Sequence, residues 1–99
     1  LDLGGPLTGG STVNATISGS TPAIVCYVYN GTGLGSTTIP GIGILEIANG
    51  RKVAQGTANA AGDASVNRNL PARLSGRTVH LQCIDDLGAT SAVHVETIL

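Results

Sequence analysis

Short runs of alternating apolar and polar residues are the main pattern along this chain. Residues 11–18 place Val13, Ala15 and Ile17 on one face of an extended strand, because successive side chains of a strand point to opposite faces. No stretch of helical length shows apolar residues at the 3.6-residue spacing of an amphipathic helix. The pattern predicts strands at 11–18, 23–30, 42–48, 51–59, 63–70, 77–85 and 90–99.

Glycine, proline and asparagine separate these runs about every ten residues, a spacing typical of an all-β sandwich or barrel. Residues 31–41, GTGLGSTTIPG, are rich in glycine and are predicted to be the longest connection. We therefore expect one all-β domain of about seven antiparallel strands over residues 11–99. Residues 1–10 precede it as an N-terminal arm or a first edge strand.

Two hairpins are predicted from their turns and from their apolar patterns. A three-residue loop at 86–88 would pair Leu81 with Val93, apolar against apolar. A second loop at 60–62 would pair the fourth predicted strand with the fifth. Both hairpins agree with their hydrophobic patterns, which favours an antiparallel meander.

The second predicted strand, AIVCYVYN, is apolar on both faces and is therefore expected to be central in its sheet. Its inward face carries Cys26, and the sixth predicted strand carries Cys83 inward. In an immunoglobulin-like sandwich the second and sixth strands lie in opposite sheets and face each other, which predicts a disulfide bond. That bond would indicate an extracellular or periplasmic protein. The alternatives are two free buried thiols, or a metal site without the usual Cys-x-x-Cys spacing.

Three stretches carry a family resemblance: GTANAAGDASVNRNLP, GRTVHLQCID and ATSAVHVETI. They resemble immunoglobulin-like β-sandwich domains of secreted and surface bacterial proteins, which often stand at the carboxyl end of large proteins. The resemblance covers nearly the whole chain beyond residue 10 and rests on the pattern of strands and turns. It implies an extracellular or cell-surface location with a structural or adhesive role, and it supplies no catalytic residues.

The composition indicates which classes of partner the chain could bind. The formal net charge of −1 offers no basic excess for nucleic acid, and no apolar run approaches the ~20 residues of a membrane span. Charged residues make up 11% of the chain, against about 25% in typical soluble domains. A surface with so little charge repels its own copies weakly, which favours self-association. The alternative is a secreted domain with a threonine-rich sheet, because polar uncharged surfaces are common outside the cell.

Few side chains could bind a metal ion or take part in catalysis. The register of the last hairpin sets His80 opposite His94, with Glu96 on the same outward face; these three are the candidate metal ligands. Because no fourth ligand is visible, we expect exposed histidines and no metal or other cofactor. Asp85 and Asp86 are a calcium candidate that solvated turn carboxylates explain better.

Tyr27 and Tyr29, the only aromatic residues, are predicted to share the strand face that points away from the core. Neighbouring tyrosines suit a carbohydrate-binding face, a protein interface or local packing, and the absence of placed amide or acidic partners favours the last two. Asn14 and Asn30 begin N-glycosylation sequons.

The arm at 1–10 carries Leu1, Leu3 and Leu7 and ends in a Gly-Gly pair. It would either reach the sheet edge of a neighbouring copy or close its own domain as a first strand.

No nucleophile, base and acid converge, so we expect a protein that is not an enzyme. The sequence favours a non-catalytic extracellular structural protein that self-associates in a surface assembly such as a filament, a sheath or a surface layer. The alternative is an adhesive or carbohydrate-binding module of a larger secreted protein, with a glycan as its ligand.

Overall fold

The computed structural model describes residues 1–99 and contains only β-strands and one short 3₁₀ turn, at Ala72–Leu74. Eight strands follow one another along the chain. They are β1 (Thr12–Ile17), β2 (Val25–Gly31), β3 (Gly33–Ile39), β4 (Gly43–Ala48), β5 (Arg51–Thr57), β6 (Ala64–Asn69), β7 (Thr78–Asp85) and β8 (His94–Thr97). The expectation of an all-β chain is confirmed.

The strands pair antiparallel in three sheets. The largest, which we name the central sheet, has the order β5-β2-β7-β8. The other two are the β1–β6 ribbon and the β3–β4 hairpin, each of two strands.

One face of the central sheet packs against the β1–β6 ribbon and forms the larger hydrophobic core. Cys26 and Val28 of β2 and Cys83 of β7 point to this side. The ribbon contributes short aliphatic side chains from both of its strands: Ala15, Ile17, Ala64 and Val66. The apolar face that alternation predicted for the first strand is therefore the face that β1 buries in this core.

The opposite face of the central sheet is covered by the β3–β4 hairpin. Leu45 and Ile47 of β4 pack with Ile84 of β7 in a second, smaller core. Tyr27 and Tyr29 of β2 pack against that core. The prediction that this strand is central is confirmed, since β2 lies between β5 and β7 with apolar cover on both faces.

The region 31–41 is not the long connection that we expected from its glycines. It forms β3, which pairs with β4 through a tight turn closed by the Ile42 amide donating to the Ile39 carbonyl. The β-branched run Thr37-Thr38-Ile39 favours an extended strand, and the register shift between Leu34 and Thr37 accommodates the glycines. The chain consequently has eight strands, one more than the seven segments predicted.

The predicted pairing of residues 51–59 with 63–70 is also wrong. A turn does form there, with the Asn59 Oδ1 atom accepting hydrogen bonds from the amides of Ala61 and Asp63. The strands that it joins belong to different sheets, because β5 pairs with β2 whereas β6 pairs with β1. The loop therefore crosses from the central sheet to the ribbon instead of closing a hairpin.

The last hairpin forms, but its register differs from the prediction by one residue. Leu81 lies opposite His94 instead of Val93, and His80 lies opposite Val95. Because side chains alternate between faces, this slip places His80 and His94 on opposite faces of the sheet.

Ser91 accounts for the slip. Near the turn the Ile84–Thr90 bridge keeps the predicted register. The backbone of Ser91 then donates to the Cys83 carbonyl, while its hydroxyl accepts a hydrogen bond from the Cys83 amide at 3.0 Å. The Ser91 side chain thus takes the place of a backbone partner, and one extra residue is accommodated before β8 begins.

The predicted disulfide bond is absent, and Cys26 and Cys83 are free, buried thiols. They lie on neighbouring strands of one sheet, not in opposite sheets, and Cys83 is directly opposite Val28. Cys26 is therefore a diagonal neighbour of Cys83, a relation that separates Cα atoms by about 7–8 Å. Disulfide bonds usually need about 4.4–6.8 Å.

We expect neither cysteine to react with iodoacetamide in the folded protein, because both thiols are buried. In denaturant without reductant, both should be alkylated, and intact mass measures the number of adducts. A denatured, unreduced chain that takes up no adduct would show that the two sulfurs are bonded after all. The same experiment after reduction is the control for complete labelling.

Candidate functional site

Tyr27 stands at the centre of the only aromatic and charged cluster on the surface. Its hydroxyl donates a hydrogen bond to the Asp86 Oδ1 atom at 2.8 Å. This hydrogen bond, with burial and the negative charge of Asp86, raises the pKa of Tyr27 above its ordinary value of 10.0. The phenol is thus held in its neutral, hydrogen-bond-donating form.

The cluster also contains the cation Lys52, whose Nζ atom lies 5.5 Å from the centre of the Tyr27 ring. The same nitrogen donates to the Gln55 Oε1 atom at 3.0 Å. The acidic and amide partners that the sequence could not place beside the tyrosines are therefore Asp86 and Gln55. The residues come together because β5 pairs with β2 and the loop after β7 lies beside the first residues of β2, pairings that were not evident from the sequence.

This arrangement leaves no open aromatic platform. Tyr27 and Tyr29 are half-buried and pack against the core under the β3–β4 hairpin, while Lys52 lies over the Tyr27 ring. The tyrosines lie on the face opposite the larger core, as expected, but that face is not open, because the hairpin supplies a second core there. Their geometry is that of a packing cluster with a polar rim.

The candidate metal ligands do not form one site. His80 points to the side opposite His94 and Glu96, and its Nδ1 atom is buried without a hydrogen-bond partner. His94 and Glu96 border a shallow depression beside the N-terminal arm, together with Asp2. No three His, Cys, Asp or Glu side chains in the chain are grouped as metal ligands would be.

Asp85 and Asp86 have separate structural roles. The buried Asp85 carboxylate accepts hydrogen bonds from the amides of Leu87 and Ala89, at 2.9 and 3.0 Å, and so holds the turn after β7. Asp86 is the acceptor of the Tyr27 hydroxyl. The two carboxylates are therefore engaged with the chain itself and do not form a calcium cage.

The N-terminal arm packs on its own domain. Asp2 forms an antiparallel bridge with Thr16 of β1, and Leu1 and Leu3 contact the larger core. Leu7 is 4% exposed. Its carbonyl accepts a hydrogen bond from the Leu99 amide, which joins the arm to residues that follow β8. The arm therefore contacts its own domain through this single bridge and its leucines, and residues 1–10 do not form a strand.

The most unusual surface is the outer edge of β3. This strand pairs with β4 on one side and with no strand on the other. No charged side chain occurs between Asn30 and Glu46, and Leu34 is 72% exposed. Edge strands are normally blocked by charges, proline, a β-bulge or a covering segment. The outer strands of the central sheet carry charges, at Arg51, Lys52 and Glu96, whereas β3 has only the register shift between Leu34 and Thr37.

Comparison with known proteins adds no relative: the chain matches no protein-family model, no curated protein and no solved structure. The resemblance to immunoglobulin-like domains therefore stays a prediction from the sequence pattern. The structure contains no helix whose length and hydropathy would allow it to span a membrane.

Proposed function

We propose that this chain is a non-catalytic structural module that self-associates in an extracellular or cell-surface assembly, built on an immunoglobulin-like β-sandwich. The observation that carries the proposal is the unpaired, uncharged outer edge of β3. The assembly would be a filament, a sheath or a surface layer, and its partner is a second copy of the same chain.

The strand order supports the immunoglobulin-like part of the proposal. Counting the arm as the first strand, β1 and β6 correspond to strands B and E of such a sandwich, and β2, β7 and β8 correspond to C, F and G. β5 then adds to the edge of the second sheet beside β2, and the β3–β4 hairpin is an insertion between them. This correspondence also explains the cysteines, since strands C and F are neighbours in one sheet.

Self-association would proceed by strand addition. The β4 strand is fixed to the central sheet, since the Glu46 amide donates to the Gln82 side chain at 2.8 Å, and this leaves β3 outermost. Backbone N–H and C=O groups on the free side of β3 can pair with the same groups of another chain. The side chain of Leu34, which is 72% exposed, adds apolar surface to the contact.

The geometry of the contact decides what would assemble. Pairing of β3 with β3 of a second copy is symmetric and closes at a dimer, whereas pairing of β3 with a different edge, such as β8, propagates into an open chain. Both forms use the same unpaired and uncharged edge of β3.

An extracellular location is supported by the surface chemistry and by the sequence resemblance, and the free cysteines withdraw the support that a disulfide bond would have given. The non-catalytic role is supported by the separation of the two histidines on opposite sheet faces and by the engagement of Asp85 and Asp86 within the fold. The covered ring of Tyr27 argues against the carbohydrate-binding alternative.

Introducing a charge on the β3 edge should abolish self-association. In Ser36→Lys the new ammonium group lies on an exposed position of β3, where strand addition would bury it against a second chain. We expect oligomers or ordered polymers of the unmodified chain, seen by sedimentation velocity and negative-stain microscopy, and a monomer for the variant.

Ser65→Lys is the matched control, because it adds the same charge at an exposed strand position of β6. It should assemble like the unmodified chain. A chain that stays monomeric at its highest soluble concentration would contradict the proposal, and so would equal assembly of the two lysine variants.

A further inference from the structure

An apolar cavity of about 190 Å³ lies between the β1–β6 ribbon and the central sheet. Thirteen of its sixteen lining residues are hydrophobic, and six of them are Val13, Val28, Val53, Val66, Leu81 and Ile98. The chain contains no Phe, Trp or Met, so short aliphatic side chains have to fill the space between two sheets that pack about 10 Å apart. They leave a space on the open side of the sandwich.

One charged side chain lines the cavity. Arg68 lines it, and no acidic residue does. By strand alternation Arg68 lies on the same side of β6 as Ala64 and Val66. Its side chain is exposed at the rim of the cavity, where its Nη1 atom donates to the Val53 carbonyl at 3.1 Å. That single hydrogen bond holds the guanidinium across the mouth between β6 and β5, and its other N–H donors are available to a ligand. Asn30 and Asn67 complete the polar part of the lining.

We propose that this cavity binds a short-chain aliphatic carboxylate, with its alkyl chain among the valines and leucines and its carboxylate on Arg68. An alkyl chain suits a lining that is almost wholly aliphatic, and a carboxylate suits a cation without an acidic neighbour. A neutral hydrocarbon would leave Arg68 unused, and an alkylamine would place two cations together.

The volume of the cavity limits the length of the ligand's alkyl chain. An apolar protein cavity of about 150 Å³ is large enough for benzene, a six-carbon ligand. A cavity of about 190 Å³ therefore accommodates an apolar body of about six to eight carbons. Acetate is too short to gain from the cavity, and a long-chain fatty acid would extend beyond it.

Hexanoate is the probe for a direct test, with hexylamine and acetate as comparison ligands. In a titration of the full chain followed by methyl carbon–proton NMR, hexanoate should shift the lining methyl groups of Val66 and Leu81 saturably. Acetate should not shift them, and hexylamine should bind more weakly than hexanoate. The absence of saturable shifts with hexanoate, or shifts confined to residues outside the cavity, would overturn the proposal.

Two variants separate the charge from the volume. Arg68→Gln should weaken hexanoate binding about tenfold or more and leave hexylamine binding unreduced, because a charge-assisted hydrogen bond is lost. Arg73→Gln is the matched control, since Arg73 lies in the 3₁₀ turn and does not line the cavity. Ala54→Leu fills part of the cavity and should abolish the shifts. Unchanged hexanoate affinity in Arg68→Gln would overturn the role of the arginine, and unchanged affinity in both cavity variants would overturn the site.

Discussion

Replacing Leu45 by alanine should lower the free energy of unfolding by about 2–5 kcal/mol, the cost typical of truncating a fully buried leucine. Leu45 has no exposed surface and packs with Ile47 and Ile84 beneath the β3–β4 hairpin. A domain of this size is usually stable by about 5–15 kcal/mol, so the loss would be a large part of the total. Urea denaturation followed by tyrosine fluorescence measures it, because Tyr27 and Tyr29 contact this core.

The neighbouring residue is the control for that experiment. Ile44 is 61% exposed on the same strand, so Ile44→Ala should change stability by no more than about 0.5 kcal/mol. Similar effects of the two substitutions would mean that the hairpin does not pack on the central sheet. The outcome therefore tests whether β3 and β4 are part of the folded domain, on which the exposed β3 edge depends.

The sequence predicted those features that depend on one strand at a time. Alternation identified β1 and β7, and apolar residues on both faces marked β2 as central, because the two-residue period of a strand directly reflects which faces are buried. The turns at 59–63 and 86–88 were also located correctly, since asparagine, aspartate and glycine favour turns wherever the flanking strands lead.

The pairing of strands was less predictable, because it depends on contacts between distant residues. The turn at 59–63 looks the same whether it closes a hairpin or crosses between sheets, and here the backbone of Ala58 bonds to Ile24 and Ala23 of the β2 region instead of continuing a hairpin. The glycines of β3 favoured the prediction of a connection, yet the segment is a strand because it pairs with β4. The shift at Ser91 came from a side-chain hydroxyl that substitutes for a backbone group.

For the candidate site residues as well, the face of a strand could be predicted from the sequence and the pairing of strands could not. Cys26 and Cys83 were correctly placed on the inward face of their strands, but the sheet in which each lies could not be read from alternation. The cluster around Tyr27 needed the pairing of β2 with β5 and the position of Asp86, 59 residues away in sequence. Arg68 lies two residues after Val66 in the alternating pattern of β6, so the sequence could have placed it on the core side of the strand, at the exposed end of that face.

Gln82 is the polar residue whose replacement should cost most. Alternation along β7 places Gln82 on the face opposite Leu81 and Cys83, yet it has no exposed surface, because the β3–β4 hairpin covers that face. Its Oε1 atom accepts the Glu46 amide and its Nε2 atom donates to the Ser91 carbonyl, both at 2.8 Å. One side chain thus connects β4, β7 and the segment that sets the register of β8.

Gln82→Leu keeps much of the side-chain volume and removes both hydrogen bonds. Each buried group left without a partner costs about 1–3 kcal/mol, so we expect a loss of about 2–4 kcal/mol, reduced in part by the apolar leucine. Gln55→Leu is the matched control, because Gln55 is an exposed residue of β5 and the only other glutamine, and its effect should stay within about 0.5 kcal/mol.

Hydrogen exchange gives the Gln82 variant a local readout that overall stability does not provide. The Glu46 amide should exchange faster in Gln82→Leu than global destabilisation alone predicts, because its acceptor is gone. The Ile47 amide next to it is the internal reference. If Glu46 keeps its protection relative to Ile47, the Gln82 side chain is not the partner of β4, and the link that holds the hairpin over the central sheet has to be sought in the apolar contacts of Leu45 and Ile47 alone.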